Sequence, residues 1–230
     1  MKIVFLGDSL TWGGYGGNFV EALAALMPEH TLINAGEGGN TVINLLRRWE
    51  RDVLPHEPDA VFVMVGGNDA VSYHNPATRS YYAKVHKIDE GMVSPETFET
   101  TFRELLTQLR LAHLITWVGL EPTEYSREAV EALSAYNERA ANAARAFNIP
   151  VLDLMESLVQ PEKLRERPPV TMDFILTIGQ REKRGWNDYE TARQRDGYTY
   201  TFDGMHLTPS SAQQVATLIA EFIRQQTPSS

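Results

Sequence analysis

A chain of 230 residues, 43% hydrophobic and 22% charged, is long enough for one α/β domain with a sizeable core and is not composed like a disordered segment. Its net charge of −9 argues against general affinity for nucleic acid or anionic lipid. The absence of cysteine removes thiol nucleophiles, cysteine metal ligands and disulfides together.

Ile3 to Leu6 is a short apolar run that ends abruptly at Gly7-Asp8-Ser9, the pattern of a buried strand followed by a sharp turn. Because Met1-Lys2-Ile3 already belongs to this strand and no apolar run approaches the roughly 20 residues of a membrane span, the chain as given is expected to be cytoplasmic, with no membrane partner. Asn18 to Met27 places Phe19, Leu23 and Leu26 on one helical face, closed by Pro28. A second strand, Thr31 to Ile33, runs into Asn34-Ala35-Gly36-Glu37-Gly38-Gly39-Asn40-Thr41, and a helix carrying Leu45, Leu46 and Trp49 follows until Pro55. Ala60 to Val65 is the most apolar strand and is expected to be central, because both its faces need cover; it stops at Gly66-Gly67-Asn68-Asp69.

Ala70 to Val93 reads as a long connection rich in Tyr and His. Ser94 and Pro95 are an N-cap and a first helical residue, and Phe98, Phe102, Leu105, Leu106 and Leu109 continue that helix at 3, 4 and 7 spacing. Leu114 to Leu120 is a fourth strand, Arg127 to Phe147 a helix, and Ile149 to Leu154 a fifth strand. Pro161 to Tyr200 is irregular and too long for an ordinary loop, so within a single domain spanning 1–230 an inserted segment over about 161–200 is expected, either lid-like or with short structure of its own. The last helix starts at Thr208-Pro209 and turns Val215, Leu218, Ile219 and Phe222 inward. Five alternations of strand and helix predict an α/β fold: a five-stranded parallel sheet in a three-layer α/β/α sandwich.

Parallel strands deliver their carboxyl ends to one edge, where open α/β folds hold ligands. Ser9, the Gly36–Gly39 turn and the Gly67-Asn68 turn therefore converge. A serine with backbone N–H donors and an asparagine amide nearby has the parts of an acyl-transfer site. His206 is the candidate base, and Asp203, three residues earlier, can hold its other ring nitrogen; Asp8 or Asp69 could supply that acid instead.

Gly7-Asp8-Ser9-Leu10, Asn34 to Thr41, Gly66-Gly67-Asn68-Asp69 and Asp203-Gly204-Met205-His206-Leu207 resemble, in order, the four blocks of the SGNH (GDSL) hydrolase family. The resemblance spans nearly the whole chain. It implies a flavodoxin-like sandwich and hydrolysis of esters without a metal or other cofactor. Ser9 matches the nucleophile, His206 the base and Asp203 the orienting acid, while the backbones of Ser9 and Gly39 and the side chain of Asn68 match the oxyanion donors. Gly38 stands where many members carry Ser. The expected partner is a small-molecule or carbohydrate ester: a short-chain, aryl or acetylated-sugar ester.

Other features stay subordinate. Asp8 is expected to brace its turn, Asp69 to bond neighbouring backbone, and Gly36 to be structural. Gly13, Gly14, Gly16 and Gly17 do not match a nucleotide-binding spacing and are expected to form a flexible rim. Tyr73, Tyr81, Tyr82, Trp186, Tyr189, Tyr198 and Tyr200 either line the substrate site or pack local cores. His74 and His86 are expected to be solvated. Two other functions fit the same residues: a metal-dependent phosphoesterase built from Asp8, Asn68, Asp69, Asp203 and His206, and a non-catalytic glycan-binding module.

Overall fold

The computed structural model describes residues 1–226; the last four residues of the domain expected over 1–230 lie outside the described residues. In chain order the elements are β1 (Lys2–Gly7), α1 (Ser9–Trp12), α2 (Phe19–Leu26), β2 (Thr31–Gly36), α3 (Val42–Val53), β3 (Ala60–Met64), α4 (Gly67–His74), α5 (Arg79–Lys84), α6 (Pro95–Leu111), β4 (Ile115–Leu120), α7 (Arg127–Ala146), β5 (Val151–Asp153), α8 (Leu154–Leu158), α9 (Met172–Lys183), α10 (Tyr189–Asp196) and α11 (Pro209–Gln226). The sheet is five-stranded and wholly parallel, in the order β2-β1-β3-β4-β5. β3 lies at its centre and is buried throughout.

Side-chain alternation along the strands builds two cores. Val4, Leu6, Val61 and Val63 face α3, α6 and α7 through Leu45, Phe102, Leu106 and Tyr136. Ile3, Phe5, Phe62 and Met64 face α2 and α11 through Phe19, Leu23, Val215 and Ile219. The period of two on the strands, met by helical periods on both sides, is what makes the sandwich three layers thick.

One stretch, the connection after β3, differs from its sequence-based expectation. It folds into α4 and α5, because Gly66, at φ 152°, turns the chain straight from the strand into a helix. This carries Asn68 and Asp69 in the first helical turn rather than in a loop. The 161–200 segment contains α9 and α10, and its Ile178 and Ala192 pack a small satellite core with Phe202. Among the described residues no helix is long and apolar enough to cross a membrane.

The 2-1-3-4-5 order reverses direction between β1 and β3, and the crevice beyond such a switch point is where doubly wound sheets take their ligands. Ser9 follows β1 and Asn68 follows β3, so the topology alone aims both at that crevice.

Candidate active site

Asp8 accepts the N–H of Leu10 at 3.0 Å and so caps the single turn of α1, which begins at Ser9. Gly7 is needed beneath it: a Cβ there would lie 2.1 Å from Thr11 Oγ1 and 2.6 Å from the Met64 carbonyl. Ser9 Oγ is 3.0 Å from His206 Nε2, and His206 Nδ1 is 2.7 Å from Asp203 Oδ2. The other Asp203 oxygen accepts the backbone N–H groups of Met205 and His206, at 2.9 and 2.7 Å. The acid is therefore pinned by its own turn before it meets the ring. Neither Asp8 nor Asp69 takes that place.

Burial by itself pushes the His206 pKa down. The charge of Asp203, its hydrogen bond and the charge of Asp8 outweigh that effect, and the pKa is raised from the ordinary imidazole value.

Ser9, Gly39, Asn68 and His206 line one cleft of about 150 Å³, with Asp203 behind the histidine. Gly39 has φ 77°, a conformation that favours glycine, and a Cβ there would strike His86 Nε2 at 2.4 Å. Asn68 is held at both ends: Tyr82 Oη donates to its Oδ1 at 2.9 Å, and its Nδ2 donates to Asp8 Oδ2 at 2.7 Å. An amide nitrogen carries two hydrogens, so one remains for a ligand. Arg48, almost wholly buried, donates to the carbonyls of Gly7 and Ala35 and to Asn40 and Asp52. It ties the ends of β1 and β2 together beside the glycine turn.

Two acids just beyond β4 complete the support, and no sequence motif marks either one. Glu121 is buried, accepts the Gly67 N–H and hydrogen-bonds to Asp8. Burial, with the nearby Asp8 charge added, raises its pKa well above the ordinary carboxylate value. Burial also raises Asp8. Glu124 is buried and accepts five donors: the N–H and Oγ1 groups of Thr199 and Thr201, and the N–H of Tyr200. The carbonyl of Gly204 meanwhile accepts from Thr123 Oγ1 and the Glu124 N–H. The turn bearing Asp203 and His206 is thus hung from the end of β4. Glu124→Ala strands those donors, at about 1–3 kcal/mol for each buried group left unpaired. A thermal melt is expected to fall by roughly 10 °C; an unchanged Tm would show that the clamp carries no stability.

Several side chains lie elsewhere than their residue types suggested. The Asp69 carboxylate bonds its own backbone N–H and also reaches further along the chain. It accepts the Val42 N–H, 27 residues away, at 3.1 and 3.2 Å, and so receives the start of α3. Burial raises its pKa well above the ordinary range. His86 is half-buried against Tyr81 and Tyr82 rather than solvated, and burial lowers its pKa. His74 is exposed at the cleft edge. Of the tyrosines and tryptophan singled out, Tyr81 and Tyr82 line the cleft. Tyr200 packs in the core, and Trp186 and Tyr189 pack against the satellite cluster. Tyr15, Tyr125 and Phe174 line the cleft in their place. The glycine rim is packed against the histidine turn: the Gly17 N–H donates to the Leu207 carbonyl at 2.8 Å, and a Cβ at Gly16 would lie 2.2 Å from that oxygen.

The side chains named for a phosphoesterase are committed to one another or to backbone in this geometry. Among the described residues no three His, Cys, Asp or Glu side chains are grouped to hold a metal ion.

The profile of the GDSL-like Lipase/Acylhydrolase family matches residues 5–213, a span that contains every one of these groups. The chain belongs to that family. It is 32% identical over 127 residues to an acetylxylan esterase of Geobacillus stearothermophilus, a match covering 47% of this chain and 54% of that relative; the match thus spans about half the relative's length. Among solved structures of the family's fold, a variant of an acetyl xylan esterase from Geobacillus stearothermophilus superposes with a TM-score of 0.65 at 21% identity, covering 100% of this chain and 97% of the other. A lipase/acylhydrolase from Enterococcus faecalis gives 0.63 at 18% identity, covering 100% and 98%. The sandwich expected from the sequence is the fold these structures share.

Proposed function

We propose that this protein is a serine esterase of the GDSL-like family that removes short acyl groups, acetyl first among them, from carbohydrate esters. The hydrogen-bonded series Ser9 Oγ, His206 Nε2, His206 Nδ1, Asp203 Oδ2 at the head of a small cleft is the observation that carries this reading. Ser9 Oγ attacks the ester carbonyl as His206 takes its proton. The carbonyl oxygen gains charge within reach of the N–H groups of Ser9 and Gly39 and the free Asn68 N–H. His206 then passes the proton to the ester oxygen of the departing alcohol, leaving the acyl group on Ser9. A water, deprotonated by the same imidazole, releases the acid and restores the serine.

Cleft size supports a short acyl group. At about 150 Å³ it is small against the roughly 300–1,000 Å³ of pockets that enclose drug-sized ligands. The sugar assignment takes its support from the acetylxylan esterase relative. A series of p-nitrophenyl esters from acetyl to octanoyl is expected to show kcat/KM highest at acetyl and at least about tenfold lower by hexanoyl, with acetate released from acetylated xylooligosaccharides. A profile that rises with chain length, or no acetate from the sugar esters, would overturn the assignment.

A further inference from the structure

We propose that Trp12 and Tyr15 form a platform for a sugar ring on the alcohol side of the ester, an outer subsite built on the rim that joins α1 to the histidine turn. The inference rests on the esterase reading above and adds where the leaving alcohol lies.

Proton bookkeeping sets the direction. When the tetrahedral adduct collapses, the bond from carbon to the alcohol oxygen breaks and that oxygen takes the proton from His206 Nε2. The alcohol half must therefore lie against the histidine. One ring neighbour of His206 is Phe202, stacked at 6.0 Å and only 2% exposed, which offers no surface. The other is Tyr15, edge-on at 5.3 Å and lining the cleft. Tyr15 in turn meets Trp12 edge-to-face at 5.0 Å and 89°. Trp12 is 39% exposed, among the few large apolar side chains left open to solvent. His206, Tyr15 and Trp12 thus run outward as a continuous aromatic path from the proton donor to the surface.

The surroundings keep the path clear and stiff. Only backbone faces the indole at Gly14, where a Cβ would come within 2.4 Å of the ring. At Gly38, on the cleft wall, a Cβ would lie 3.5 Å from the indole and 3.8 Å from the Tyr15 ring, so a larger residue would cover part of both. The Gly17 N–H bond to the Leu207 carbonyl ties the Tyr15 loop to the histidine turn, and the platform keeps its distance from Nε2. A pyranose presents a face of C–H bonds that matches the electron-rich face of an aromatic ring, which makes a sugar the alcohol this path suits.

The test compares an acetylated xylooligosaccharide with ethyl acetate, which has no ring to stack. Trp12→Ala is expected to lower the ratio of kcat/KM for the sugar ester to that for ethyl acetate about tenfold. The change should lie in KM, and Trp12→Phe should recover most of it. The deacetylated oligosaccharide, used as a competitive inhibitor of ethyl acetate hydrolysis, should bind the alanine variant more weakly by a similar factor. If the wild type turns over both esters and the ratio is unchanged in Trp12→Ala, or if kcat/KM falls equally for both, the platform is wrong and the esterase reading stands. A wild type inert toward both esters overturns the esterase reading and the platform with it.

Discussion

Ser9→Ala is expected to lower kcat on an acetyl ester by about 10⁶-fold, the scale seen when a serine hydrolase loses its nucleophile. The fold should survive, because Ser9 Oγ bonds to His206 Nε2 while the backbone of the turn is held by Asp8 and by the helical bonds to Trp12 and Gly13. Residual turnover would come from the oxyanion donors and from binding, which the substitution leaves in place. Intact-mass measurement after treatment with an organophosphate supplies the second readout: one adduct on the wild type and none on the variant. Turnover within tenfold of wild type, or labelling at another residue, would show that the hydroxyl is a turn serine and that the cleft uses a different nucleophile.

The next largest effect is expected at Asp203→Asn, about 10⁴-fold in kcat. An amide in place of the carboxylate can turn an N–H toward Nδ1. The ring then carries its proton on Nε2, where it donates toward Ser9 instead of accepting from it. The same substitution should move the pH profile. If the neutral ring is the base, as proposed, the raised His206 pKa is expected to put the acid limb of wild-type kcat/KM above the roughly 6.5 of an ordinary imidazole, with activity appearing as pH rises through that pKa. Without the Asp203 charge and hydrogen bond, burial dominates and the limb should move down. Stability has the opposite sign. A raised folded pKa means that protonated His206 stabilises the fold fully below the unfolded value, and this increment is lost as pH rises through the folded value. The protein therefore gains activity over the window in which it gives up that increment. An acid limb that stays put in Asp203→Asn would mean that the aspartate does not tune the base.

Buried groups beneath the site hold the residues assigned to the proposed reaction. Glu121 and Asp8 are buried side by side, and burial raises the pKa of both. Asp8 holds both Leu10 and Asn68. Tyr82 fixes the other end of the Asn68 amide, which settles which way its nitrogen faces.

The amino-acid sequence by itself determined the layered sandwich, the central place of β3 and the meeting of Ser9, Gly39, Asn68 and His206. Those features follow from local signals: apolar runs of strand length, glycine at strand ends, caps before helices, and the rule that parallel strands end on one edge. Only the tertiary structure decided what holds those groups in place. Glu124 meets Thr199 to Thr201 across 75 to 77 residues, Asn68 meets Asp8 across 60, Gly67 meets Glu121 across 54, and Asp69 meets Val42 across 27. A buried carboxyl chooses its partner by which donors the packed chain brings within about 3 Å of it, and no spacing along the sequence encodes that distance. The same reason separates Tyr15 from the tyrosines that were singled out: ring chemistry is visible in a sequence, but the neighbour a ring stacks on is set by the fold.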